Sequence, residues 1–237
     1  MTTDDGAAEQ AARRRGLARL PMFARTADQV AAYARAWDTA NAAALRAAGP
    51  LWAVLGDSAA QGVGATLRTG YVGQLLDRLE AADGRRWRVV NLSRSGARTR
   101  EVTDVQLARM TALDLTPDLV TAVVGGNDVL HTRTRTWLAD IDALLAALPD
   151  TAVVATVSRG LFERKTRSVN DHIRAAAAAR GLRVADLWRH TGPPYQGLYA
   201  DGFHPNERGY AQWTAALAEA LDLPRVSLVS DGPTPTT

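Results

Sequence analysis

A parallel α/β fold is what the sequence predicts, on three observations. From residue 51 onward, short β-like runs alternate with helical ones, the pattern of a parallel sheet with crossover helices. The helical stretches between the runs are amphipathic, as helices covering a sheet should be. With 237 residues, 46% apolar and 22% charged, the chain has ordinary globular usage and room for one generous core plus an appendage.

The elements follow in order. Residues 1 to 25 are polar, Ala-rich and Arg-rich, and partial disorder is expected at least through Gly16. Thr26-Ala27-Asp28-Gln29 fits a capping box, after which Val30, Tyr33, Trp37, Ala44, Leu45 and Ala48 recur at helical spacing until Gly49-Pro50 stops the run. This amphipathic helix would pack on the sheet or a neighbouring helix, or serve as a lid or a homo-oligomer contact. Five strands are expected over Leu51 to Leu55, Trp87 to Asn91, Leu119 to Val124, Ala152 to Val157 and Leu182 to Asp186. Between them lie apolar faces at Tyr71, Leu75, Leu76 and Leu79, at Val102 and Val105, and at Trp137, Ile141, Leu144, Leu145 and Leu148. A helix over Val169 to Arg180 and another beginning near Asn206, burying Tyr210, Trp213, Leu217 and Leu221, complete the pattern. The Pro- and Gly-bearing tail after Pro224 reads as loose. The expected organisation is an N-terminal extension over 1–50, a domain over 51–223 and a flexible tail over 224–237.

Composition excludes several function classes. There are no cysteines, so disulfide frameworks, thiolate zinc sites and cysteine nucleophiles fall together. Lys and Arg number 28 against 25 Asp and Glu, a net +3, and only Lys165 is a lysine. The arginine runs at Arg13 to Arg15 and around Arg85, Arg86 and Arg88 carry no RNA- or DNA-binding signature, so nucleic-acid binding is not expected. His131, His172, His190 and His204 lie at least 14 residues apart, with no i,i+4 pair, and no metal site is expected. No stretch approaches the ~20 apolar residues that span a bilayer, and Met1-Thr2-Thr3-Asp4-Asp5 opens no apolar signal region. A soluble, cytoplasmic protein is expected.

In an open parallel sheet, ligands collect at the carboxyl ends of the strands. After the first strand comes Gly56-Asp57-Ser58-Ala59-Ala60-Gln61-Gly62-Val63-Gly64, a tight turn presenting Ser58 as a nucleophile candidate. The Gly-Lys-Ser/Thr ending of a phosphate loop is missing, and so is the Gly-x-Ser-x-Gly elbow. The second strand runs into Asn91-Leu92-Ser93-Arg94-Ser95-Gly96-Ala97 and the third into Gly125-Gly126-Asn127-Asp128. Gly96 can bring its N–H close to a reacting oxygen and Asn127 can add an amide. With the Ser58 N–H these make a three-donor oxyanion hole. The last strand is followed by Asp201-Gly202-Phe203-His204-Pro205-Asn206, where Asp201 can reach Nδ1 of His204 and free Nε2 to take the serine proton. Any one of these segments is consistent with a bland turn. Their occurrence in order, supplying nucleophile, oxyanion donors, base and orienting acid, points to a hydrolytic site.

On these blocks the chain resembles the SGNH hydrolases, also called the GDSL esterase/lipase family: Gly56-Asp57-Ser58, Ser95-Gly96, Gly125-Gly126-Asn127-Asp128 and Asp201-Gly202-Phe203-His204-Pro205, over about residues 51 to 221. The resemblance implies a flavodoxin-like three-layer α/β/α sandwich with five parallel strands ordered 2-1-3-4-5, preceded here by an extra helix. It implies hydrolysis of carboxylic esters through an acyl-serine, without a metal or organic cofactor. Ser58 would be the nucleophile, Gly96 and Asn127 oxyanion donors, His204 the base and Asp201 its partner, with Asp57 and Asp128 bracing their loops. Ala59-Ala60 depart from the Leu or Ile that often follows the serine, and the helix before residue 50 lies outside the family's core pattern.

The expected partner is a small-molecule, short-acyl ester. Arg94, Arg98, Arg159 and Phe162 are candidate substrate-binding residues, the arginines for an anionic group. An acyltransferase using the same acyl-serine, or a non-catalytic binding module on this fold, are the alternatives. An imidazole base implies a rate that declines below about pH 6 to 7.

Overall fold

The five apolar runs pair as one parallel sheet in the order β2-β1-β3-β4-β5. The computed structural model describes residues 26–160 and 162–224; the expectations for the chain before residue 26 and after Pro224 lie outside them. The strands are β1 (Leu51–Gly56), β2 (Arg88–Asn91), β3 (Leu119–Val123), β4 (Ala152–Ala155) and β5 (Arg183–Ala185). Their centres are where the sequence puts them. β4 ends two residues early: the N–H and C=O of Val157 are bonded to the side-chain amide of Asn170 at 2.8 and 2.9 Å.

Because successive side chains point to opposite faces, β1 feeds two cores. Leu51, Ala53 and Leu55 pack with Trp137, Ile141, Leu144, Val169 and Ile173, while Trp52 and Val54 pack with Tyr71, Leu75, Tyr210 and Leu217. The first layer is carried by α6 (Thr134–Ala147) and α7 (Glu163–Ala179), the second by α2 (Tyr71–Asp83) and α9 (Glu207–Ala220). Short helices α5 (Gly126–His131) and α8 (Leu187–His190) follow β3 and β5. The α/β/α sandwich with its 2-1-3-4-5 sheet is therefore the fold.

The segment after β2 departs from the expected plain helix. It runs as α3 (Thr99–Glu101), a π-helical turn (Val102–Leu107) and α4 (Ala108–Ala112). The wider turn buries Val102, Gln106 and Leu107 and leaves Val105 at 45% exposure, so Val105 is not part of the buried face. Helix α7 begins at Glu163 rather than near Val169, because its first six residues are polar and give no apolar periodicity.

Helix α1 (Ala27–Ala44) lies across the edge of the sheet beside β2: Trp37 packs with one layer and Ala44 with the other. The Asn41 amide donates to Asn91 O at 2.8 Å and accepts from Asn91 N at 2.7 Å. It thus supplies what a further strand would supply at an open edge. Leu45 lies beyond the helix and is 39% exposed, and Ala48 is exposed too, so the buried stripe ends earlier than its apolar spacing suggested.

The expected capping box does not form. Thr26 sits at φ −111°, ψ −6° with no side-chain cap bond, whereas an N-cap residue needs an extended ψ to turn its hydroxyl onto the helix amides. Its hydroxyl, and both polar atoms of Gln29, are engaged by loops far away in sequence. Among the described residues no helix is long and apolar enough to cross a membrane, and no three His, Cys, Asp or Glu side chains gather as a metal site.

Candidate active site

Each sequence-predicted segment leaves the sheet at the same end. At the end of β1, Gly56 has φ +154°, and a Cβ there would stand 2.3 Å from Val123 O. Only glycine lets the chain turn this close to β3. The Gln106 amide from the π-helical turn donates to Gly56 O and accepts from Gly56 N, both at 2.8 Å. The last residue of β1 is therefore pinned immediately before Asp57 and Ser58.

Asp57 Oδ1 accepts from Ala59 N at 3.0 Å, and the Ser58 carbonyl accepts from Gln61 N and Val63 N at 3.2 and 3.1 Å. The resulting turn holds Ser58, 5% exposed, with Oγ 3.0 Å from Nε2 of His204. On the far side of the imidazole, Nδ1 is 2.8 Å from Asp201 Oδ2. Asp201 Oδ1 accepts from the backbone N–H of Phe203 and His204 at 2.7 and 2.6 Å. A carboxylate at Nδ1 selects the tautomer with its proton there, leaving Nε2 as acceptor for the serine hydroxyl. Phe203 meets the imidazole edge-on, centroids 5.3 Å apart.

The electrostatics separate the two aspartates. Burial pushes the Asp57 carboxyl up to about 6, against the Ala59 N–H and the nearby His204, which pull it down. Burial also raises Asp201, but the hydrogen bond and charge of His204, the Thr26 hydroxyl and the His204 N–H outweigh it and hold the carboxyl down at about 2. Asp201 is thus the ionised partner of His204, whereas burial keeps the Asp57 carboxyl raised. Asp128 is raised by burial and accepts from Thr99 N, Thr99 Oγ1 and Thr132 Oγ1 at 2.9, 3.0 and 2.7 Å. These bonds tie the start of α5 to the loop that carries Gly96.

Gly96 adopts φ +82° and is exposed. Among the described residues, the N–H groups of Ser58 and Gly96 meet no acceptor. The Asn127 amide donates to Ala97 O at 3.0 Å and faces Asp57 Oδ2 at 3.4 Å. One of its N–H groups is firmly held and the second only weakly.

The remaining candidates are dispersed. Arg94 approaches Glu101 at 4.0 Å and lines a cleft of about 490 Å³ between α1, Gln61, the Ser93–Ala97 loop and the π-helical turn. Neither Ser58 nor His204 lines that cleft. The Arg98 backbone N–H donates to Glu101 at 3.0 Å. The Arg159 guanidinium lies 5.0 Å from the Trp188 ring centroid. Phe162, at φ +55°, is 61% exposed.

Sequence reasoning missed several residues that position the site. Thr26 Oγ1 donates to Asp201 Oδ2 at 2.6 Å. Gln29 accepts from Gly64 N at 2.8 Å and donates to Ala65 O at 3.2 Å, and Tyr33 donates to Ala65 O at 2.7 Å. Trp37 Nε1 donates to Gln61 O at 3.1 Å. With Asn41 these residues form one stripe of α1 at three- and four-residue spacing. Its signal was legible only as polar residues recurring on a face that also carries Trp37.

The GDSL-like Lipase/Acylhydrolase family model matches residues 54–212. No curated protein matches the chain in sequence. Among solved structures, TesA is 25% identical with a TM-score of 0.60, over 72% of this chain and 97% of that one. The acetylxylan esterase Axe2 from Geobacillus stearothermophilus is 20% identical with a TM-score of 0.61, over 76% and 98%. The esterase EstA from Pseudoalteromonas sp., in a structure inhibited by monoethylphosphonate, is 19% identical with a TM-score of 0.54, over 73% and 96%.

Proposed function

The chain belongs to the GDSL-like lipase/acylhydrolase family and is an enzyme of the SGNH esterase type, and on that premise we propose that it hydrolyses short-acyl carboxylic esters through a covalent acyl-Ser58 intermediate. The observation that carries this reading is the unbroken relay from Ser58 Oγ to His204 Nε2 at 3.0 Å and from His204 Nδ1 to Asp201 Oδ2 at 2.8 Å. His204 Nε2 removes the hydroxyl proton as Oγ attacks the acyl carbon. The carbonyl oxygen becomes an oxyanion held by the N–H groups of Ser58 and Gly96 and by the weakly engaged Asn127 N–H, which gives up its 3.4 Å approach to Asp57. The carbonyl re-forms, the leaving alkoxide takes the proton from Nε2, and the alcohol departs. Water, deprotonated by Nε2, then attacks the acyl carbon, the bond to Ser58 Oγ breaks as Oγ takes the proton back from Nε2, and the acid departs.

The test is labelling with a serine-directed organophosphonate followed by mass spectrometry. The adduct is expected on the Ser58 peptide, and Ser58→Ala is expected to lose both labelling and p-nitrophenyl acetate turnover while melting near the wild-type temperature. Retained turnover in Ser58→Ala refutes the reading.

A further inference from the structure

Four donors converge on the Asp201 carboxylate, and they differ in origin. Three come from its own loop: the N–H groups of Phe203 and His204 on Oδ1, and Nδ1 of His204 on Oδ2. The fourth is the Thr26 hydroxyl, 175 positions away in sequence, which donates to the same Oδ2 at 2.6 Å. Thr26 is 3% exposed, and its oxygen also lies 3.4 Å from His204 Nδ1. The two local bonds to Oδ1 fix one end of the carboxylate but leave it able to swing about that end. A short bond to Oδ2 from a side chain on another element removes the swing and keeps Oδ2 in line with the imidazole. The hydroxyl is available for this because it does not cap its own helix.

The same helix steadies the opposite wall. Gln29 holds the N–H of Gly64, and Gly64 is packed so tightly on the His204 loop that a Cβ there would meet Pro205 O at 2.2 Å and His204 Cβ at 2.9 Å. Thr26 and the helix that follows it therefore hold both the carboxylate bonded to the imidazole and the turn packed on its loop. Residue 26 precedes the segment the family model matches, which starts at 54.

We propose that Thr26 is a positioning residue of the catalytic relay, its hydroxyl orienting the Asp201 carboxylate toward His204, so that the N-terminal extension is a working part of the active site. The proposal rests on the serine-hydrolase reading above. Orientation enters the acylation step and not ground-state binding, so its loss appears in kcat rather than KM.

The experiment compares Thr26→Val, which keeps the shape and removes the donor, with Thr26→Ser, which restores it, in the full-length chain with p-nitrophenyl acetate. Thr26→Val is expected to lower kcat roughly tenfold with KM within about twofold, and Thr26→Ser to recover most of the loss. The rate of organophosphonate labelling at Ser58 should fall and recover in parallel. Melting temperatures are measured on every variant, with Thr26→Ala as a second donor-free chain. Equal kcat in Thr26→Val and wild type overturns the proposal, as does an equal loss in Thr26→Val and Thr26→Ser. Failure of both donor-free chains to fold overturns it too, because the hydroxyl would then serve the fold and not the relay. Ser58→Ala run alongside separates the two readings. If it is dead while Thr26→Val is fully active, the positioning role fails and the hydrolase stands; if it is active, the hydrolase reading itself fails.

Discussion

Gly64 packs on the His204 loop with no room for a side chain: a methyl group added to Gly64 would come within 2.9 Å of His204 Cβ and 2.2 Å of the neighbouring Pro205 carbonyl oxygen. Gly64 also has φ +101°, a conformation that L side chains rarely adopt. The turn that carries the proposed nucleophile and the loop that carries the proposed base are thus assembled against each other at a single glycine. Gly64→Ala is expected to cost about 2 kcal/mol or more of stability and to lower kcat by pushing the imidazole off Ser58. Thermal melts and steady-state kinetics check this, and a variant with wild-type values in both would remove Gly64 from the account.

Asp201→Asn meets an obstacle visible in the hydrogen bonds. Both carboxylate oxygens receive donors, Oδ1 from two backbone N–H groups and Oδ2 from Thr26 and His204. An amide NH₂ therefore either opposes the two backbone N–H groups at Oδ1 or, at Oδ2, donates to His204 Nδ1 and holds the ring in the tautomer whose Nε2 carries the proton. The expected kcat loss lies within the roughly 10²–10⁴-fold that a positioned base contributes, and below that of His204→Ala, since the Asp201 loop still places the ring. A greater loss in Asp201→Asn than in His204→Ala would reverse that order.

Asp57 makes stability depend on pH in the direction opposite to Asp201. Its carboxyl is held up at about 6 in the fold, against about 3.9 in an unfolded chain. Its contribution is therefore complete below about pH 4 and is lost as pH rises through about 6, because the unfolded chain releases the proton first. Asp201, held down at about 2, contributes above its unfolded value and loses that contribution as pH falls toward 2. Asp57→Asn is expected to gain stability relative to wild type between pH 4 and 7, on the order of 2–3 kcal/mol. Denaturant titrations at several pH values give the difference directly, and a constant offset between the two chains would contradict it.

The strands, their sequence order and the four loop segments were legible because each is a local signal: an apolar run, a glycine-bearing turn, an Asp-x-x-His. What was not legible depends on partners distant in sequence. Thr26 and Gln29 carry the letters of a capping box, and nothing within several residues of them reveals that Asp201, Gly64 and Ala65 engage them instead. The π-helical turn inverts the exposure expected of Val105 because one extra residue shifts every later side chain around the helix. Gln106, Asn41 and Asn170 are polar residues on buried faces, where periodicity arguments weigh only the apolar neighbours.

Those last three side chains share one arrangement. Asn41 on Asn91, Gln106 on Gly56 and Asn170 on Val157 each satisfy both the N–H and the C=O of one residue at the point where a strand gives way to its loop. Each loop therefore departs from a fixed post, whatever its own composition. Redesign of substrate preference could swap the residues beyond those posts while leaving the launch points, among them the start of the turn that carries Ser58, untouched.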